Sequence, residues 1–367
     1  ELVQVNHPRA GAGFSFQEFF DRAGITYDYA NRVISADLSQ APVPREWLRL
    51  PDEPLWDPSF NALEVWNGFR TADSNNDGVR EVESLDRVMR DWFNFLSFGM
   101  PLVPCGNSDT HTLVADSMGM PRTYVRVGDA TYQALNDAIA DGSVVDEVLA
   151  TLTGVGAAKD VVVSNAPFLT VRRAGETTSA IGATYAGSGT ISFEVTITSP
   201  EWAEFDTLEV FANATPESPA PESTALQPLG CWTSRALDGL PETEPCATAQ
   251  MAPATLEVQP IVVDADSGAA RWEATVTVTI AAADVAAVTR SGAQGGDAWV
   301  VFRVRGNKAI FPMMFDGIMS DANIDALVDD DAAVDGLLRG TGIPATAFTA
   351  PVYVDFDGGG YLAPFAP

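Results

Sequence analysis

The period of the hydrophobic pattern switches near residue 170, and that switch limits the fold more than any other feature of the sequence. Up to about residue 165, short apolar runs alternate with polar clusters and stretches at helical spacing, the punctuation of βα units. The runs are Leu2-Val3-Gln4-Val5, Ala62-Leu63-Glu64-Val65, Leu102-Val103-Pro104-Cys105 and Tyr124-Val125-Arg126-Val127. Runs so short and apolar suit strands covered on both faces, which predicts a parallel sheet or barrel. Beyond residue 170, apolar and polar residues alternate. Trp272, Ala274, Val276, Val278 and Ile280 share one strand face, as do Ile191, Phe193, Val195 and Ile197. Segments 206–211, 298–304 and 352–356 continue the pattern, and a β-sandwich is the economical way to bury such one-sided strands. The expected class is α/β plus all-β: part of an α/β barrel over 1–168, then an antiparallel β-sandwich over 169–367.

Helices are predicted between the early strands. Ser15 and Glu18 form a capping-box pair ahead of Phe19 and Phe20. Val82, Leu85, Met89, Trp92, Phe93 and Leu96 make one apolar stripe that ends before Gly99, and a third helix runs from about Asp129 through Tyr132, Leu135 and Ile139 to Gly142. The Pro-, Ser- and Glu-rich segment 214–228 reads as an exposed loop, and the acidic stretch 321–335 as a solvated helical face. Trp202, Trp232, Trp272 and Trp299 are candidates for a sugar-stacking ring on the sandwich, with core packing as the ordinary explanation for such residues.

No run approaches the ~18 to 20 apolar residues of a membrane span, and the first residues, Glu1-Leu2-Val3-Gln4-Val5, lack the basic flank and apolar core of a signal peptide. With 50 acidic against 21 basic residues, the net charge of −29 repels phosphate backbones and anionic membranes, so no nucleic-acid partner is expected. So acidic a surface suits a salty extracellular medium, and a secreted or cell-surface location is expected. Cys231 and Cys246 bracket a Gly- and Pro-containing segment and are expected to form a disulfide. Cys105 is then left over, either as a small buried hydrophobe in a strand or as a thiol paired with another chain.

Three polar clusters follow the early strands: Asn6-His7-Pro8-Arg9, Glu64 with Asn67-Gly68, and Gly106-Asn107-Ser108-Asp109-Thr110-His111. In a parallel α/β barrel the loops after the strands gather on one face, so these clusters are expected to meet. The chain has two histidines, His7 and His111, and both fall here. Imidazole beside carboxylate, as in Asp109-x-His111, suits Zn, Mn or Fe better than Ca.

The same segments carry a resemblance. Asn6-His7-Pro8, Leu63-Glu64-Val65-Trp66-Asn67-Gly68 and Gly106-Asn107-Ser108-Asp109-Thr110-His111 stand in the order and spacing of the PHP family, named for polymerase and histidinol phosphatase domains. Pro121-Arg122-Thr123-Tyr124, Ser164-Asn165-Ala166-Pro167 and the closing Val352 to Gly358 resemble its secreted CehA/McbA-like branch. The resemblance implies a distorted (β/α) barrel, of which this chain would carry the C-terminal part. Two or three divalent transition-metal ions (Zn, Mn or Fe) would activate water there for attack on a phosphate ester or related ester. It implies His7, Asp109 and His111 as metal ligands, with Asp109 also orienting the water. Glu64 and Asn67 would support the ligands or face substrate, and Arg9 and Arg122 would hold a small anionic ester or form surface salt bridges.

The family's His-x-His pair and its upstream Glu and His ligands are absent from this sequence. Four βα units do not close a barrel, and the strand Leu2 to Val5 would present an unpaired edge. An N-terminal fragment or second chain completing the barrel is therefore the expected partner; the alternative is a catalytically silent structural, surface or filament protein whose edge accepts a neighbour's strand. Separately, Asp73-Ser74-Asn75-Asn76-Asp77-Gly78 resembles the first half of an EF-hand loop, with Asp73, Asn75 and Asp77 as oxygen ligands for a structural Ca²⁺. Position twelve is Ser84 rather than Glu, so either Glu81 or Glu83 substitutes or the segment is a polar turn. Asp355 and Asp357 near Gly358 to Gly360 form another oxygen-rich loop, read as a turn in preference to an ion site.

Overall fold

The computed structural model describes residues 2–9, 20, 24–36, 59–68, 71–72, 81–82, 85–110, 119–127, 143–153, 159–216, 226–237, 245–265, 267–310 and 343–367, and strands dominate their regular structure. The first half contributes β1 (Gln4–Val5), β2 (Ile25–Asp28), β3 (Val33–Ala36), β4 (Ala62–Asn67), β5 (Thr71–Ala72), β6 (Glu81–Val82), α1 (Leu85–Ser97), β7 (Val103–Asn107), β8 (Arg122–Val125), α2 (Ser143–Thr153) and β9 (Val161–Ser164). The second half contributes β10 (Phe168–Arg173), β11 (Thr184–Ala186), β12 (Thr190–Pro200), β13 (Thr207–Ala212), β14 (Gly230–Thr233), α3 (Pro245–Thr248), β15 (Ala254–Thr255), β16 (Gln259–Asp264), β17 (Ala269–Ala281), α4 (Ala282–Val288), β18 (Ala298–Ala309), β19 (Pro344–Thr349) and β20 (Val352–Asp355). The capping box at Ser15 and Glu18, the helix expected over 129–142, the acidic stretch 321–335 and the middle of the 214–228 loop lie outside the described residues.

The alternating segments form a two-sheet packing. A four-stranded antiparallel sheet, ordered β10-β12-β17-β16, faces a nine-stranded sheet whose main path is β15-β14-β13-β18-β19-β9-β8, with β20 on β18 and β11 on β20. Ile191, Phe193, Val195 and Ile197 point inward with Ala274, Val276, Val278 and Ile280, and meet Leu208, Val210, Phe302, Val304 and Val352. The Cys231–Cys246 disulfide ties β14 to α3. Of the tryptophans that sequence offers as sugar-stacking rings, Trp299 is fully buried, whereas Trp202 is 40% exposed.

The nine-stranded sheet is covered on its other face as well. Phe211, Trp299, Val301 and Phe348 form a second core with Trp66, Trp92 and Phe93, so α1 lies wedged between this sheet and the parallel strands. Phe93 stands 4.9 Å from Trp299 and 5.2 Å from Phe211, ring to ring. Sequence predicts one apolar stripe on this helix, but its polar positions are buried too. Three of them find partners from elsewhere: Asp91 accepts from Arg9 and Tyr27, Ser97 Oγ accepts from Trp299 Nε1 (3.0 Å), and Asn94 donates to Pro216 O (3.0 Å). Gly99, at φ +83°, ends the helix, with Gly99 N donating to Leu96 O (3.1 Å) and Met100 N to Phe95 O (2.9 Å).

The expected barrel is corrected by the topology. β1, β4 and β7 form a three-stranded parallel sheet in that order, and no barrel closes among the described residues. The segment expected as a fourth barrel strand is β8, which pairs antiparallel with β9 inside the nine-stranded sheet. Thr123 supplies the reason. Its Oγ1 accepts from Gly106 N (2.9 Å) and donates to Gly106 O (3.0 Å), so a side chain takes up the backbone groups a fourth parallel strand would use. Gly106 also packs so closely that a Cβ there would sit 2.4 Å from Val163 Cγ1. β8 and β9, which precede residue 168, thus lie in the same sheet as β13, β18 and β19.

Cys105 lies buried and unbonded in β7. Burial, reinforced by the nearby Glu64 carboxylate, pushes its thiol up to about 12, with the Thr123 hydroxyl opposing. The native protein should therefore resist a thiol reagent at about pH 8, and the denatured but unreduced chain should titrate one thiol. Prompt reaction of the native protein would contradict this packing.

Candidate functional site

Parallel strands deliver their C-terminal ends to one side, and this geometry gathers the three polar clusters. β1 runs into His7, β4 ends at Asn67 and Gly68, and β7 leads into Ser108 and Asp109. The ladder pairs Val5 with Leu63 and Asn67 with Asn107, and Gly68 N donates to Asn107 O (2.8 Å). A register shift between Glu64 and Trp66 breaks the alternation of β4 beside the buried Glu64.

Glu64 is the centre of the arrangement. At 2% exposure it accepts from the backbone N of His7 (Oε2, 2.7 Å) and from Asn107 Nδ2 (Oε1, 2.6 Å), tying β1 and β7 to β4. The same Oε2 lies 3.4 Å from His7 Nδ1, while His7 Nε2 faces Asp109 Oδ1 at 4.0 Å. A carboxylate on one imidazole nitrogen with the other aimed at a second carboxylate is the way proteins orient a metal-bound histidine. An ion with bonds of about 2.1 Å at a tetrahedral angle would want the outer pair about 3.4 Å apart, so the two loops would close slightly around it. His7 and Asp109 both adopt left-handed backbone conformations, φ 48° and 46°, which cost non-glycine residues on the order of 1–2 kcal/mol each.

The remaining sequence-selected residues are distributed more widely. Asn67 stands at the same rim, and its buried Nδ2 has no hydrogen-bond partner among the described residues. Arg122, in β8, is exposed and packs over Gly119, with no carboxylate in ion-pair reach among the described residues. Arg9 is neither at a substrate surface nor in a surface salt bridge. Its guanidinium is buried, pairs with Asp91 through Nε and through Nη2 (3.0 Å), and clamps the His7 loop onto α1. His111 and the EF-hand-like residues Asp73, Asn75 and Asp77 lie outside the described residues.

His7, Glu64 and Asp109 do not form a compact three-ligand set. Among the described residues that geometry belongs to Asp297, Asp355 and Asp357, whose carboxylate oxygens fall within 4.8 Å of one another. Sequence singles out the last two as a turn and misses Asp297, which the pairing of Ala298 with Val354 brings alongside from far away in the chain. Gly358 N and Gly360 N donate to Asp355 (2.6 and 2.8 Å), and Phe356 N and Leu362 N donate to Asp297 (2.9 and 2.7 Å). Burial raises the Asp297 carboxyl while those amides oppose it. Burial also acts to raise Asp355, but the amides of Gly360, Gly358 and Asp357 outweigh it and hold Asp355 low.

No protein-family model, curated protein or solved structure matches this chain.

Proposed function

We propose that the chain is the C-terminal portion of a secreted, metal-dependent hydrolase of PHP type, acting on phosphate esters or related esters. The observation that carries the reading is the His7 imidazole held between Glu64 and Asp109 at the common end of three parallel strands. His7 Nε2 and Asp109 would hold a Zn, Mn or Fe ion together with His111, and Glu64, fixed by Asn107, would set the imidazole. Such an ion supplies a water acidified toward neutrality and a positive charge for the attacked ester. Around it, Asp109 would orient the water, the unpaired Asn67 amide would offer a hydrogen bond to substrate, and Arg122 would attract its negative charge.

His7, Asp109 and His111 are three ligands for a site of two or three ions, so the further ligands would come from an N-terminal fragment or second chain. β1, which pairs only with β4 among the described residues, offers that segment a strand edge. The disulfide fits an oxidising compartment. One observation favours the rival reading of a silent structural protein: both Glu64 oxygens are already engaged by the chain itself.

Elemental analysis and p-nitrophenyl phosphate hydrolysis, on wild type and His7→Ala purified with any accompanying polypeptide, separate the two. The enzyme reading expects bound transition metal and turnover in the wild type, both largely lost in the variant. Metal content untouched by His7→Ala removes the ligand set, and a single metal-free, inactive polypeptide favours the structural protein.

A further inference from the structure

A second polar site lies where the β2–β3 hairpin docks on the segment after α4. The guanidinium of Arg290 stacks on the Tyr29 ring at 4.2 Å, and that ring is fixed by Phe365 (5.0 Å), Phe98 (5.2 Å) and a hydrogen bond from its hydroxyl to Asn94. Arg32 donates to Gln294 Oε1, and Gln294 is anchored in turn by its own N on Pro364 O and its Nε2 on Ala366 O, both 2.8 Å. Two arginines are thus held in place by neutral partners. Elsewhere the described cations mostly meet carboxylates, as in Arg126 with Asp160, Arg235 with Asp206 and Arg271 with Glu273.

Both arginines line one groove of about 710 Å³, together with Tyr27, Tyr29, Ser291 and Asp28. Asp28 is the one carboxylate in the lining, and it is occupied by Asn31, whose backbone N and side-chain amide donate to it at 2.9 and 2.7 Å. Neither Arg32 nor Arg290 has a carboxylate in ion-pair reach among the described residues. On a chain of net charge −29, two guanidiniums to one carboxylate in one concavity, with neither guanidinium in an ion pair, is a local exception to the field. A guanidinium stacked on an aromatic face keeps its in-plane N–H fork free, the geometry that grips an oxyanion with two parallel hydrogen bonds.

We propose that this groove binds the oxyanion group, phosphate or carboxylate, of a small solute, with Arg290 as the fork and Arg32 as the second charge. The site is independent of the His7 cluster, so the test uses the whole 367-residue chain, chelator-treated. Titration calorimetry with inorganic phosphate and, separately, with succinate at low ionic strength should show saturable binding of at least one, and which one binds identifies the oxyanion. Arg290→Gln should weaken that binding by about tenfold or more, the worth of a lost pair of charged hydrogen bonds. Arg271→Gln, which removes a guanidinium already paired with Glu273, and His7→Ala should leave it unchanged. If Arg290→Gln fails to fold, Arg290→Lys keeps the charge without the fork and should still bind measurably more weakly. Absence of saturable binding of either anion, or equal binding in a folded Arg290 variant, overturns the proposal.

Discussion

Replacing Glu209 with glutamine should lower the unfolding free energy by about 3–5 kcal/mol, because it removes the carboxylate shared by the buried Arg303 and the half-buried Arg305 and leaves Arg303 with Asp86 alone. Glu209 is fully buried in β13, directly opposite Arg303 in β18. It accepts from Arg303 Nε (2.6 Å) and Nη2 (3.0 Å), and its Oε2 lies 2.9 Å from Arg305 Nε. Arg303 reaches on to Asp86 of α1 at 2.6 Å, so the network joins the nine-stranded sheet to the helix that covers it. Urea unfolding at neutral pH measures the loss, and a cost below about 1 kcal/mol would mean that water relieves the arginines. The double change Glu209→Leu with Arg303→Met should recover much of it, since apolar replacement of a whole buried pair is often neutral. The Asp86 carboxyl is held low: burial acts to raise it, but Arg303 and Arg305 outweigh that effect. A folded value below the unfolded one gives stability present above the usual carboxylate range and lost as pH falls through the folded value. Asp86→Asn should therefore destabilise at neutral pH and flatten the acid limb.

The sandwich is legible in the sequence because alternation is a local property. Ile191 to Ile197 and Trp272 to Ile280 carry their period in consecutive residues, and β12 and β17 pair along that pattern, Val195 with Val276 and Ile197 with Ala274. What local pattern cannot carry is which sheet a strand joins. The run near Tyr124 has the composition of a covered parallel strand, yet β8 pairs antiparallel with β9, a choice made by Thr123 and the bare surface of Gly106. Helix α1 shows the same limit. Its apolar stripe is visible in the sequence, but the burial of Asp91, Asn94 and Ser97 is not, because their partners Arg9, Tyr29 and Trp299 lie far off in sequence.

At the candidate site, the positions of His7, Glu64 and Asp109 after three strands are enough to predict that their loops converge, and these residues do meet. Arg9 departs from expectation because charge alone does not distinguish an arginine facing solvent from one that Asp91 draws beneath the helix. Asp297 and the Arg290 groove escape a reading of the sequence for a different reason: each is brought to its neighbours from far along the chain, Asp297 by the pairing beside it and the groove by side-chain docking of a hairpin.

Glu64→Gln should release His7 while keeping the shape of the side chain. The carboxylate receives two donors, His7 N and Asn107 Nδ2, and glutamine has one acceptor, so one buried donor is left facing an amide NH₂. The imidazole also loses the carboxylate oxygen 3.4 Å from Nδ1 that favours a proton on that nitrogen and would leave Nε2 to a bound ion. Under the proposed function, metal affinity measured by chelator competition should fall roughly 10–100-fold, the usual effect of removing a partner that orients a ligand. The chain has two histidines, so imidazole nitrogen NMR reads His7 with little overlap: Nδ1–H in the wild type, mixed tautomers in the variant. Asn107→Ala frees one Glu64 oxygen but leaves the contact with His7, and should cost less on both measures. If tautomer and metal retention both survive Glu64→Gln, the residue is a clasp between β1 and β7, and the convergence of these strands serves their packing rather than an ion.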